Sequence, residues 1–350
     1  MSELFQQIQK KNLKTTAIVG MTKNVGKTVT FNHIVEELVK SEIRVGLVSA
    51  GYDGERFDRL TLKEKPRILA PAGALVATAE ACFETADAGL EFLEKSSFTT
   101  PLGPVLVGKV KEAGRVELAG PGSISGLREL VKTMYRRGSA QVLVDGAINR
   151  IASASPAVSD GTILATGASL GPTMNDIVKK TVFRREIMET PPVEDSLLLK
   201  SAQEGLERGN AVLLHREGNG YRVEAVREMI PLLAGAQLID KYRRETAALV
   251  FGGALVDNNL QDMMELYEHP PAVIVRDATR IFISPDLFWR YLKRGGRIMV
   301  LKKIRLIAVT LNPTDPMGGD YDPEMFLKIM SEALQPCPVF DLVLQKRYPS

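Results

Sequence analysis

The chain has 350 residues, enough for two domains whose cores need neither disulfides nor structural metal. Lysine plus arginine exceeds aspartate plus glutamate by only 45 − 42 = 3, so the charge balance points to neither nucleic acid nor an anionic membrane as partner. The two cysteines, Cys82 and Cys337, form no CxxC or Cys/His cluster, which argues against a thiolate metal centre and for reduced cytosolic thiols.

From the N-terminus, "MSELFQQIQKKNLK" is polar and lacks the apolar core of a signal peptide. No later run approaches the ~20 apolar residues of a membrane span, and the expectation is a soluble cytoplasmic protein. "TTAIVG" is a short β-rich run. Residues 27–40 place Phe31, Ile34, Val35 and Leu38 at helical spacing. "RVGLVSAG" (44–51) reads as a second buried strand and "ALVATAEACF" as a helix. "GPVLVGKV" and "RVELAG" read as strands, and "GLRELVKTMYRRG" as a helix closed by Gly138. "QVLVDG" (141–146) and "TILATG" (162–167) are further strands. Strands alternating with helices imply parallel βαβ units. "MNDIVKKTVFRREIM" looks helical, "METPPVED" is a break, and "AVLLHREGNGYRVEAV" is a hairpin turning at Gly218–Gly220. A second alternating series starts at Ala247. Its strand-like runs are "AALVFGGAL", "PAVIVRD", "GRIMVLKKIRLIAVTLNP" and "PVFDLVL"; its helices are Leu260–Tyr267, Pro285–Arg294 and Pro323–Leu334. The expected organisation is α/β throughout. A first domain with a parallel sheet and flanking helices covers residues 1–190. A connecting segment with the hairpin covers 191–245, and a second, smaller α/β domain covers 246–350.

The most informative stretch is "TTAIVGMTKNVGKTVTF". The common phosphate loop has four residues between its glycine and the Gly-Lys pair. Here five, "MTKNV", separate Gly20 from Gly26. The physical requirements are still met: an apolar strand, glycines for tight backbone geometry, and a helix N-terminus whose amides face an anion. The expected nucleotide-binding residues are therefore Gly20, Thr22, Lys23, Asn24, Val25, Gly26, Lys27, Thr28 and Val29. Lys27 meets the β/γ-phosphates and the Thr28 hydroxyl ligates Mg²⁺. The competing reading is an ordinary glycine turn before an amphipathic helix. Asp145, ending "QVLVD", supplies the carboxylate that a magnesium water shell needs, though Asp-Gly is also a common turn. Asp53, in "GYDGERFD" with Glu55 and Asp58, is a second magnesium-binding or water-orienting candidate, or a solvated turn. His33 reads as a surface or satisfied core residue. "TLNPTD" (310–315) imitates a guanine-reading motif but lacks its lysine, which favours ATP over GTP.

The loop "GMTKNVGKTV" and the segment "VDGA" (144–147) resemble dethiobiotin synthetase and its P-loop relatives, which implies a P-loop NTPase domain over residues 1–190. The resemblance implies that Asp145 binds magnesium, as the family's Glu-Gly-Ala acid does. Two features depart from that family. Thr22 and Asn24 stand where it has loop acids, and Ser49-Ala50-Gly51 stands where it has a Lys-Pro pair. Carbamate-forming chemistry is not supported. "IVGMTKNVGKT", "GLVSAGYDGE" and "ALVFGGALVDN" also resemble the accessory subunits of lysine 5,6-aminomutase reactivases. That resemblance implies a helper working with an ATPase partner of the mismatch-repair type to restore a damaged adenosylcobalamin enzyme. The absence of an Asp-x-His-x-x-Gly cobalamin-ligating pattern fits a helper that does not itself hold the corrinoid.

Three functions follow as expectations. The first is a client-dependent ATPase using ATP and Mg²⁺ at Lys27, Thr28, Asp145 and Asp53, with a protein client or an ATPase partner subunit and with a homo-oligomer left open. The second is an ATP-dependent ligase or small-molecule kinase, with Lys109, Asn149 and Arg150 as substrate groups. The third is a nucleotide-binding module without turnover. In the second domain, the strand ends at 251–258, at Asp277 and Thr279, and at 311–322 are expected either to line one crevice or to be ordinary turns. Met263, Met264, Tyr267, Phe288, Trp289 and Leu292 read as packed helix faces.

Overall fold

The computed structural model describes residues 1–51, 68–147, 153–209, 211–225, 246–344 and 346–347. It divides the chain into two units, Met1–Arg185 with Arg305–Ser350, and Glu186–Ile304.

The first unit opens with helix α1 (Glu3–Lys10), strand β1 (Thr15–Gly20), α2 (Lys27–Lys40) and β2 (Val45–Ser49). Then come β3 (Ile68–Ala70), β4 (Leu75–Ala79), α3 (Glu80–Glu84), and a long hairpin of β5 (Gly89–Thr100) and β6 (Gly103–Glu112). β7 (Gly114–Val116), α4 (Ile124–Arg136), β8 (Gln141–Ala147), β9 (Gly161–Gly167) and α5 (Met174–Met188) follow. The second unit holds α6 (Ser196–Arg208), β10 (Ala211–Glu217), β11 (Gly220–Ala225), β12 (Thr246–Phe251), β13 (Leu255–Val256) and α7 (Asp257–Leu266). It continues with β14 (Ala272–Val275), β15 (Ile281–Phe282), α8 (Pro285–Lys293) and β16 (Ile298–Val300). The chain then returns to the first unit as β17 (Leu306–Asn312), α9 (Pro323–Ala333), β18 (Val339–Asp341) and β19 (Lys346–Arg347).

The first unit is built on a ten-stranded sheet in the order β19-β18-β17-β9-β1-β8-β2-β4-β6-β5. From β18 to β4 every neighbour is parallel; β19, β6 and β5 join antiparallel. β1 and β2 are buried along their whole length, as strands covered on both faces must be. Phe31, Ile34, Val35 and Leu38 of α2 are fully buried and pack with Leu4, Phe5 and Ile8 of α1 in the main core. The second unit has a five-stranded sheet, β11-β10-β12-β14-β16, parallel from β12 to β16. α6 covers it with Leu198, Ala202 and Leu206, spaced to share one helix face. No helix among the described residues is long and apolar enough to cross a membrane.

The architecture is thus mixed α/β, one unit with a large, mostly parallel sheet and flanking helices and the other a smaller α/β unit. The expected boundaries differ from those found. The hairpin at 211–225 is no connection; β10 pairs with β12 inside the second sheet. Residues 305–350 belong to the first unit, because β17 pairs with β9 and β18 pairs with β17. The run "GRIMVLKKIRLIAVTLNP" therefore splits into two strands of different sheets. "ALVATAEACF" is mostly the buried strand β4, with only the short α3 after it. A short apolar run of this kind carries no periodicity that separates strand from helix. The loops after β12 and β14 share a sheet, but the 311–322 loop follows β17 in the other one, so the three expected to line one crevice do not share a strand-end row. Trp289 stands half exposed at 49%, not within a packed face.

Candidate functional site

Because β2, β8, β1, β9 and β17 are parallel neighbours, their carboxyl ends lie along one edge of the sheet. A ligand crevice in an open α/β sheet belongs at that edge. Every described element of the candidate site comes from it.

β1 ends at Gly20, and the chain crosses Met21–Gly26 before entering α2 at Lys27. Asn24 (φ 62°) and Gly26 (φ 81°) both take left-handed backbone conformations. Gly26 is the N-cap of α2 and offers no side-chain cap; no acidic residue occupies the first turn. The amides that open a helix are left without intrahelical partners, and here the N-cap residue supplies no side-chain hydrogen bond to them. The packing at Gly20 is also close: a Cβ there would lie 3.2 Å from Val25 Cγ2 and 3.3 Å from the Thr22 carbonyl oxygen. Val25 is buried and anchors the loop, whereas Thr22 and Lys23 are exposed and Asn24 and Thr28 partly so. Val29 is half exposed on the first turn of α2.

Asp145 lies on β8 opposite Ile18 of β1 and Ser49 of β2. The Lys27 Nζ sits 2.8 Å from each of its carboxylate oxygens. The pair is partly buried, with the lysine side chain 25% and the aspartate 16% exposed. Two expected site residues from distant parts of the chain are thus brought into direct contact. The Ala50 amide donates to the Asp145 main-chain carbonyl at 2.8 Å, so β2 and β8 stay in register up to the acid.

Several donations tie the loop to its surroundings. The Met21 amide donates to the Ala165 carbonyl at 2.9 Å. Ser169 Oγ donates to the Lys23 carbonyl at 3.0 Å, and Asn312 Nδ2 to the Asn24 carbonyl at 2.6 Å. Within α2, the Thr30 hydroxyl bonds to the Gly26 carbonyl at 3.2 Å and to the Thr310 hydroxyl of β17 at 2.8 Å. His33, one turn further on, bonds Ser2 Oγ through Nε2 at 2.9 Å and takes no part in the loop. Burial pushes its pKa below the ordinary value, against the opposing pull of Glu37 and Glu36.

Ser169 and Asn312 are absent from the residues expected from sequence. Asn312 falls inside "TLNPTD", read as a failed guanine motif and as part of the 311–322 strand-end loop but not singled out; its turn-forming Asn-Pro after a buried strand was the available signal. Ser169 carries none. Asp53, Glu55, Asp58, Asn149 and Arg150 lie outside the described residues. Lys109 is on β6, opposite Leu75 of β4 and Glu91 of β5. Among the described residues no group of three or more His, Cys, Asp or Glu is placed to hold a metal ion. Cys82 and Cys337 are both buried.

No protein-family model, curated protein or solved structure matches the chain.

Proposed function

We propose that the chain binds ATP with Mg²⁺ at the Gly20–Gly26 loop as a P-loop ATPase and acts on a protein client. The observation that supports it most is the meeting of Lys27, on an uncapped helix start, with Asp145, on the neighbouring strand. A glycine turn with a merely structural role would not need a lysine and an acid converging where helix amides are open.

The residues divide the work as follows. The amides at the start of α2 and the Lys27 ammonium hold the phosphate oxygens. When Lys27 turns to the phosphates, Asp145 loses its counter-ion and is free to hold the water shell of a cation. Thr28 supplies a hydroxyl oxygen. One carboxylate and one hydroxyl suit Mg²⁺, which binds few protein ligands and keeps several waters, so the lack of a larger acidic cluster among the described residues does not count against it. When bound, the ion neutralises charge on the β- and γ-phosphates. The missing lysine in "TLNPTD" favours adenine over guanine.

The client class follows from the resemblance of "IVGMTKNVGKT", "GLVSAGYDGE" and "ALVFGGALVDN" to reactivase accessory subunits. It is an adenosylcobalamin-dependent lysine 5,6-aminomutase, served together with a partner ATPase. The test is ATP binding and hydrolysis by wild type and Lys27→Ala, with and without the mutase and partner. Slow basal turnover that the client accelerates, and loss of binding in the variant, are expected. Equal ATP affinity in the variant would remove the loop from the site. Rapid turnover indifferent to any protein would remove the client. A phosphorylated or ligated metabolite formed in step with ATP use would instead make the protein a kinase or ligase.

A further inference from the structure

We propose that Asn312, together with Ser169, positions the Gly20–Gly26 loop and does not read the nucleobase; the proposal rests on the nucleotide-site reading above. A carboxamide offers two N–H donors and two acceptor lone pairs. In Asn312 all four are used inside the chain. Nδ2 donates to the Asn24 carbonyl at 2.6 Å and to the Thr314 carbonyl at 3.0 Å. Oδ1 accepts from the Thr314 amide at 3.3 Å and the Thr314 hydroxyl at 2.9 Å. The orientation of the amide is determined by these partners, since two carbonyl oxygens demand the nitrogen and a main-chain N–H demands the oxygen. A base edge could be recognised only by breaking one of the four bonds.

What the residue does instead follows from the peptide plane. In a trans peptide the C=O and N–H point in opposite directions. The Lys23 and Asn24 carbonyls are each drawn to a donor, Ser169 Oγ and Asn312 Nδ2. The amides of Asn24 and Val25 therefore point away from those donors, the arrangement that makes successive amides an anion nest. Both tethers come from one place in the sheet, because Asn312 pairs with Gly167 across β17 and β9, and Ser169 lies two residues past Gly167. Asn312 also backs the helix start: a Cβ on Gly26 would lie 3.2 Å from its own.

The test compares the dissociation constants of Mg-ATP, Mg-GTP and base-free magnesium tripolyphosphate for wild type, Asn312→Ala and Ser169→Ala. Asn312→Ala is expected to weaken all three by one common factor, about five- to tenfold for the loss of one positioning hydrogen bond. Its ligand-free melting temperature accompanies the measurement, and the KM for ATP is expected to rise by that factor while kcat falls by less. Ser169→Ala gives the same uniform pattern and carries the test if Asn312→Ala does not fold. A loss confined to the nucleotides, with tripolyphosphate unaffected, would make Asn312 a base reader and overturn the proposal. Unchanged affinity for all three in both variants would overturn it as well. Wild type binding none of the three would sink the nucleotide site itself, a different result from wild-type binding with the wrong variant pattern.

Discussion

Lys27 and Asp145 neutralise each other in a partly buried pair, and the balance of that pair decides what each substitution does. Partly exposed ion pairs contribute on the order of 0–1 kcal/mol to stability. Lys27→Ala is therefore expected to melt within a few degrees of wild type while losing nucleotide affinity, which calorimetry and a binding titration read separately. Asp145→Asn keeps the shape but removes the charge that would hold a cation's water. It is expected to bind ATP while losing most of the Mg²⁺ dependence of binding, with turnover down about 10- to 100-fold. Titrations with and without Mg²⁺ check this. Gly26→Ala forces a side chain onto a residue at φ 81° and brings its Cβ 3.2 Å from Asn312 Cβ. A cost of roughly 1–2 kcal/mol in chemical denaturation is expected for the backbone alone.

At the scale of elements, α1 is joined to α2 by apolar and polar contacts together. Leu4, Phe5 and Ile8 are buried in the main core, and the Ser2 amide donates to Glu37 Oε2 at 2.7 Å. Phe5→Ala is expected to cost about 3–5 kcal/mol, measured as a shift in the denaturation midpoint. His33 gives this contact a pH dependence. Burial lowers its folded pKa below the unfolded value of 6.5, so the unfolded chain binds more protons between the two values. Stability contributed by neutral His33 is present above pH 6.5 and is lost as pH falls below it towards the folded pKa. Glu36 and Glu37 oppose the shift and Lys40 reinforces it. Melting curves from pH 7.5 to 5.5 are expected to fall less steeply in His33→Gln than in wild type. The helices were legible where a long amphipathic period existed, as in α2 and α4. β4 was not, because "LVATA" is equally apolar on every side.

At the scale of the whole chain, residues 186–304 are an insertion between α5 and β17 of a single sheet-based unit. Ile307, Ala308 and Val309 of β17 are buried, and β17 separates β9 from β18. A fragment ending at residue 304 therefore exposes the edge of β9 and an apolar face of the first sheet. It is expected to aggregate or lose cooperative melting, whereas 186–304 expressed alone, with its own core around Leu198, Val212 and Ile274, is expected to unfold cooperatively. Circular dichroism melts and size-exclusion profiles of the two fragments decide the matter.

Sequence alone determined the Gly20–Gly26 loop with Lys27 and Thr28, because strand, glycine turn and helix start are neighbours along the chain and leave a local pattern. It also marked Asp145, since an acid at the end of an apolar run stands out against the residues before it, although β8 continues two residues beyond it to Ala147. Only the tertiary structure decided that Asp145 meets Lys27, that Ser169 and Asn312 hold the loop, and that residues 305–350 complete the first sheet. The reason is physical. Periodicity encodes which faces are buried, while the choice of a strand's partner depends on the packing of the assembled sheet, and one buried apolar strand looks locally like another.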